Sequence, residues 1–335
     1  MLRYSADRRT LAYLALTALL SVVNWKLGRV HPVLYPATLF MFFTTAVISH
    51  NHNHLGVWRS KWLNLVTSYV IALFYGHPAV AWVPTHNQVH HKLNNKPGDS
   101  SRSPKWFAGN HLAALIVYPT LTNFAQTRDI NAFLKDLWKR DRPAFRTAAS
   151  EYVVFFGTMA ILFALDWRKA LLFFVIPQQV ALFAIQCVNF FQHIETDAES
   201  EWNHSRNFVG PVLNGLLFNN GYHTVHHLKP GVHWTELPRL HEQYAARIHP
   251  SLLERSWLRY FGRTYLWRPI VVAGDKLTVR SKVVEMSQRN TPSGLTDVVV
   301  IEDEGRDETQ EVVYRSRQLW VVRMAPKAVT GDLHE

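Results

Sequence analysis

The sequence has a single cysteine, Cys187, among 335 residues. A disulfide framework is thereby excluded, as is any zinc or iron–sulfur site built on thiolates. Negative charge is also scarce: 25 Asp and Glu stand against 36 Lys and Arg, for a formal net charge of +11. The runs Leu11 to Leu27, Val33 to Ser49, Tyr152 to Leu165 and Ala170 to Phe191 contain no Asp, Glu or Arg at all, and Lys26 is their only Lys. Several of them approach the roughly 20 residues needed to cross a bilayer. No small-residue cleavage site follows the first run and the next apolar run arrives within a few residues. It therefore reads as a retained membrane span rather than a signal peptide. Tandem repeats and long low-complexity segments are lacking as well.

What charge there is carries information. Arg3, Arg8 and Arg9 precede the first run, and the segment from Arg59 to Arg146 is dense in Lys and Arg. The positive-inside bias puts both on the cytoplasmic side, together with everything after Phe191, as two hairpins of spans require. The first hairpin turns at "KLGRVHP", where Gly28 and Pro32 interrupt helical continuity, and the second at "LDWRKA" around Asp166. Two further apolar stretches, Leu63 to Val83 and His111 to Phe124, carry internal Gly, Pro, His or Asn and read as helices lying in the interface or re-entering it. "LLERSWLRYFGRTYLW" mixes Arg with aromatics, the profile of a helix at a membrane surface. A basic face suits anionic lipid headgroups or an acidic protein partner. No nucleic-acid partner is expected.

Composition changes near Pro269. From there "DKLTVRSKVVEM", "GLTDVVVIEDEG" and "EVVYRSRQLWVVRM" are Val-rich, partly alternating, and separated by the turn signals "NTPSG" and "DEGRDE". The expectation is a three-stranded antiparallel sheet outside the membrane, and two domains, 1–268 and 269–335.

Histidine is what the sequence has in excess. His50 and His54 are four apart, so on a helix continuing from the second span they share a face while His52 points away. His86 and His90 repeat the spacing with His91 beside them, and His223, His226 and His227 stand at i, i+3, i+4. Asn189 and His193 are again four apart at the exit of the last span, and an Asn can hold a water that a metal uses. The matching set is nine histidines: His50, His54, His86, His90, His91, His193, His223, His226 and His227. One four-coordinate zinc cannot use nine ligands; two metals of five or six coordinates can. No carboxylate lies inside these boxes, unlike those of soluble di-iron bundles, which use Glu and Glu-x-x-His ligands, or of two-zinc hydrolases, which bring a bridging carboxylate. Iron is the better match. His31, His52, His77, His111, His204, His233, His241 and His249 read as hydrogen-bonded residues outside the metal set, with His52 close enough to support it. The polar residues Thr44, Thr45, Gln178 and Gln179 sit in apolar runs. Gln178 and Gln179 are read as bonding a neighbouring helix rather than lining a tunnel.

With these residues in hand, the chain resembles the membrane fatty acid desaturase superfamily of histidine-box di-iron oxygenases. "HNHNH", "HNQVHH" and "HTVHH" match its three boxes in order, and "NFFQH" matches the NxxxH element of its acyl-thioester members. The resemblance spans roughly residues 10 to 268. It implies a mainly α membrane protein, a four-span helical bundle under a cytosolic histidine-box cap, with the C-terminal antiparallel β segment outside the usual pattern. It also implies two Fe ions on the nine histidines, Asn189 linked through water, and O2 as co-substrate. The substrate would be an acyl chain, carried by phospholipid, CoA or acyl carrier protein, that enters a narrow tunnel and gains a double bond. No fused b-type cytochrome is visible and box three keeps His223, so electrons would come from a separate ferredoxin- or rubredoxin-like donor. "AGDKLTVRSKVVEM" also resembles a strand of hot-dog acyl-thioester enzymes, which leaves open a sheet that pairs with a second copy or a mere capping hairpin. The same irons suit a hydroxylase or ketolase of an alkyl, sterol or carotenoid chain. A metal transporter would place ligands and carboxylates near the bilayer midplane, where these spans hold no ionisable residue.

Overall fold

The computed structural model describes residues 1–103, 109–266, 278–291, 294–306 and 312–323. They form two compact units, Met1–Gly262 and Arg263–Glu335. The first is helical. Helix α1 (Arg8–Leu27) ends at Gly28, and α2 (Leu34–His54) returns beside it. Helix α3 (Lys61–Tyr75) meets the helical segment α4 (Ala79–Leu93) at a bend of 90°. Gly76 makes that bend: its φ is +88°, and a Cβ there would lie 2.5 Å from Cβ of Gln178. Helices α5 (Leu112–Arg140), α6 (Arg142–Ala170) and α7 (Ile176–His193) follow, α6 and α7 being joined by a wide turn at Leu171–Val175. The short helices α8 (Pro211–Leu216), α9 (His223–Leu228), α10 (Leu237–Tyr244) and α11 (Trp257–Phe261) close the end that carries the histidines.

Asp166 breaks α6 with φ −164° and ψ 100°, and its Oδ1 accepts from the N–H groups of Arg168 and Lys169. The expected turn is therefore built as a side-chain cap that restarts the helix. Lys169 also lies over the ring of Trp25 and beside Gly28, and Tyr35 donates to the Leu172 carbonyl. The Gly28 and Asp166 turns thus lie together at one end of the bundle. The C-termini of α2 and α7, bearing His50, His54 and His193, point to the other. Between them α2, α3, α7 and the wide turn before α7 pack Phe42, Ala46, Ile71, Phe74, Phe174 and Ala181 into one core.

Among the described residues, two helical stretches are long and apolar enough to cross a membrane, Ser5–Leu27 and Arg142–His193, and the bent pair α3–α4 is a third if it counts as one. Helix α2 falls outside that count because its apolar run, Leu34–Ser49, gives way after 16 residues to the polar end His50–His54. The hydroxyls of Thr44 and Thr45 donate to the Met41 carbonyl of their own helix. Gln178 donates to the Leu73 carbonyl of α3 at 2.7 Å, the inter-helix bond expected of it.

Strand β1 (Asn207–Phe208) pairs in parallel with β2 (Leu253–Glu254). This pairing corrects the reading of "LLERSWLRYFGRTYLW" as one surface helix: its start is strand, because Leu253 and Glu254 give their backbone to Asn207 and Phe208. Helical structure covers only Trp257–Leu266.

The second unit is an antiparallel sheet in the order β3 (Thr278–Thr291), β4 (Gly294–Arg306), β5 (Val312–Arg323), as expected. Asp303–Gly305, which the strand "GLTDVVVIEDEG" and the turn signal "DEGRDE" share, are in β4 and pair on both sides, Asp303 with Ser281 and with Ser316; residues 307–311 lie outside the described ones. The expected composition boundary at Pro269 also lies outside them.

Candidate metal centre

Each histidine box is aimed by its local backbone. Box one continues α2 in ordinary α-helical register, so His50 and His54 share a face. His52 turns away, its Nε2 lying 3.2 Å from the Asn64 carbonyl and 3.3 Å from the Ser68 hydroxyl. Box two lies at the end of a π-helical stretch, Val83–His90, and the turn just before it, Ala79–Ala81, is held by Glu151: the Val80 N–H donates to Glu151 Oε2 at 2.8 Å. The wider π turn brings residues five apart onto one face. His86 Nε2 consequently meets His91 Nε2 at 3.1 Å, and His90 faces elsewhere. This register corrects the i, i+4 pairing of His86 with His90 expected from α geometry.

Box three is held from outside its own helix. Asn207 Oδ1 accepts from the Thr224 N–H at 3.0 Å, and Asn214 Oδ1 accepts from the Gly221 N–H while its Nδ2 donates to the Phe208 carbonyl. Gly221 passes so close to that strand that a Cβ would stand 2.1 Å from the Phe208 carbonyl oxygen.

The nine histidines gather into two groups. His50, His54, His86, His91 and His226 form one, and His90, His193, His223 and His227 the other, with the ligand atoms of each within 4.8 Å of one another. Boxes two and three each divide between the groups. His50, His86, His90, His193, His223 and His226 are buried, and His54, His91 and His227 half-buried. Burial, and then the neighbouring histidines, hold His223, His226 and His227 well below the usual imidazole range, so these rings are neutral at physiological pH.

Three outer partners decide which nitrogen faces inward. His50 Nδ1–H donates to Asn51 Oδ1 at 3.0 Å, His90 Nδ1–H to Asp99 Oδ2 at 2.7 Å, and His193 Nδ1–H to the His204 carbonyl at 3.2 Å. Each then presents only a lone pair at Nε2. Yet His90 Nε2 and His193 Nε2 lie 3.1 Å apart, and His54 Nε2 is buried with no hydrogen-bond partner among the described residues. Facing lone pairs repel unless a cation lies between them.

The spacings fit one. The close contacts His50–His226, His86–His91, His91–His226, His90–His193, His193–His223 and His223–His227 all fall within a group, at 2.8 to 3.1 Å. Nitrogens about 2.1 Å from a metal are about 3.0 Å apart at right angles and about 3.4 Å apart at a tetrahedral angle. The donor sets therefore suit two ions of five or six coordinates better than tetrahedral zinc.

Sequence reasoning passed over Asp99, Ser101 and Tyr118. Asp99, buried with its charge opposed by desolvation, is nevertheless held well below the usual carboxylate range by His90 and by the Ser101 hydroxyl and N–H. The signal was available: "NNKPGDS" directly after box two is a turn ending in a carboxylate, the usual partner of a ligating histidine's outer nitrogen. Asn189 lies on α7, four residues before His193. It lines a cavity with His50, His86, His223 and Asn220. A second cavity, of about 200 Å³, shares Trp82, Gln126 and Gln186 with the first and runs between α4, α5 and α7. Of the histidines kept out of the metal set, His31, His111 and His249 accept from N–H groups at helix starts and His233 contacts Asp7 at 3.2 Å, while Nδ1 of His204 and of His241 is buried without a hydrogen-bond partner among the described residues.

Comparison with curated proteins returned no match. A family model described as fatty acid desaturase matches residues 27–262, well over half of the chain and all nine histidines. The chain belongs to the fatty acid desaturase family, and its two histidine groups form a site of the di-iron oxidoreductase type.

Proposed function

We propose that the protein is a membrane-bound, O2-dependent fatty acyl desaturase. The observation that carries this reading is the convergence of nine imidazoles on two points beside a cavity that shares its wall with a second one between α4, α5 and α7. Two irons bound there would supply the one chemistry that acid–base groups lack, removal of hydrogen from an unactivated methylene with dioxygen. The balance is fixed: O2 becomes two water molecules, taking two hydrogens from adjacent carbons and two electrons with two protons from a donor.

The chain's own residues hold and orient. Asn51, Asp99 and the His204 carbonyl fix ring tautomers, Asn207 and Asn214 hold box three, and Glu151 holds the turn before box two. The cavity seats the acyl chain so that one methylene stands beside the histidines, where position substitutes for intrinsic reactivity. Asn189 adds an oxygen, through water, to the four-histidine group.

The membrane arrangement belongs to the same reading. Broken at Asp166, Arg142–His193 makes two spans, and with α1 and α2 the bundle has four. Both turns lie at one end and the histidines at the other, and the Arg3, Arg8 and Arg9 cluster with the Lys- and Arg-dense segment 59–146 supports a cytoplasmic site by the positive-inside bias. A ferredoxin- or rubredoxin-like protein delivers electrons there, and the acyl group arrives on phospholipid, CoA or acyl carrier protein. Residues 1–268 are the catalytic domain and 269–335 an extension.

The deciding experiment is expression in a bacterium of simple lipid composition, with mass spectrometry and double-bond localisation on fatty acids and acyl thioesters. A new double bond at one position is expected. Hydroxylated or keto products instead would move the protein to the oxygen-inserting branch of the family.

A further inference from the structure

The two histidine groups are unequal, five and four. Asn189 is one of the polar side chains that line the cavity with His50, His86 and His223, and the one that sits a helical turn before His193 of the four-histidine group on α7. An amide has two ends, however, and only its oxygen serves a cation or orients a water for one. Which end faces the histidines depends on what holds the other.

That partner is Tyr118, on α5. Asn189 Nδ2 donates to the Tyr118 hydroxyl at 2.6 Å. The hydroxyl has one proton, and it is committed: it goes to the Ser101 carbonyl at 2.6 Å. Toward Asn189 the tyrosine oxygen can therefore only accept, so it selects the amide nitrogen and leaves Oδ1 turned from it. Tyr118 is 1% exposed and its ring packs against Phe190, which fixes the ring, and the Ser101 carbonyl, having no proton of its own, can only accept from the hydroxyl. The Ser101 that receives its proton also donates through Oγ to Asp99 Oδ1 at 2.7 Å, and Asp99 holds His90. One loop thus sets both the outer nitrogen of a histidine in the smaller group and, through Tyr118, the amide of Asn189.

We infer that Tyr118 is a positioning residue that presents the Asn189 carbonyl oxygen to the four-histidine group. The inference rests on the di-iron reading and specifies how its smaller half is completed.

The test is cobalt(II) titration of the metal-free, full-length protein in detergent, followed by visible absorption, with thermal unfolding of the metal-free forms alongside. Wild type is expected to take up two ions. Tyr118→Phe should weaken the second ion by about tenfold or more, the range typical of lost outer hydrogen bonds, and alter its absorption while leaving the first unchanged. Adding Asn189→Asp to Tyr118→Phe should restore the second affinity, because a carboxylate presents an oxygen whichever way it turns. Unfolding of the two variants should stay alike, so the rescue separates orientation from packing. An unchanged second affinity in Tyr118→Phe, or a loss that Asn189→Asp does not restore, overturns the inference. Uptake of fewer than two ions by wild type overturns the di-iron reading beneath it.

Discussion

His90 Nδ1 stands 2.7 Å from Asp99 Oδ2, and the two side chains are 1% and 0% exposed. A carboxylate there makes the imidazole a stronger donor through Nε2 and prevents the ring from turning. Asp99→Ala is expected to weaken metal at the four-histidine group by about 10- to 100-fold and leave the five-histidine group nearly unchanged. Asp99→Asn, which keeps an acceptor without the charge, should fall between. Stepwise metal titration checks this; equal weakening at both groups would show that Asp99 supports the whole fold rather than one group.

The division of box two makes a sharper prediction. His91 and His86 belong to the larger group and His90, in between, to the smaller. His91→Ala leaves four histidines in its group, whereas His90→Ala leaves three. Each substitution should impair one ion and spare the other, with the larger affinity loss for His90→Ala. If an α-helical register held instead, His86→Ala and His90→Ala would strike the same ion.

His52 lies inside box one but bonds the backbone of Asn64 and the hydroxyl of Ser68. His52→Ala should keep two metals and a measurable fraction of activity, at a cost of about 1 to 2 kcal/mol in stability from the lost buried bonds. His50→Ala and His54→Ala should abolish activity. Equal metal loss in all three would place His52 among the ligands.

These contrasts show what a linear reading can reach. His50, His54 and the outward turn of His52 were legible because α2 carries its 3.6-residue period straight out of an apolar run. The turn at Asp166 was legible from a carboxylate in an otherwise uncharged stretch. The π register of box two was not, since nothing in "HNQVHH" separates an i, i+4 from an i, i+5 facing, and the Glu151 that anchors the preceding turn lies 71 residues from Val80. Nor could local pattern reveal Asn207 holding Thr224, or Tyr118 meeting Asn189, because loop closure and the α5–α7 contact bring those pairs together. The spacing of boxes identifies the ligands; the fold decides which ion each one serves.

The last prediction concerns residues 269–335. Every histidine of the two groups precedes Leu228, and the sheet belongs to a separate compact unit, Arg263–Glu335. Deleting 269–335 should therefore leave two metals bound per chain with little change in affinity. Activity tests something different. Strand β3 is an edge with Val279 and Val283 each 50% exposed and Met286 71% exposed, and exposed apolar edges pair readily with another chain. If the sheet joins two copies, the truncated protein should elute at a smaller size with unchanged turnover on free lipid. If it docks an acyl carrier, turnover on a protein-bound or CoA-bound chain should fall by itself while size and metal content stay as they were. Loss of metal from truncated protein that remains folded and monodisperse would show that the extension contributes to the catalytic domain, and the boundary near Pro269 would have to move.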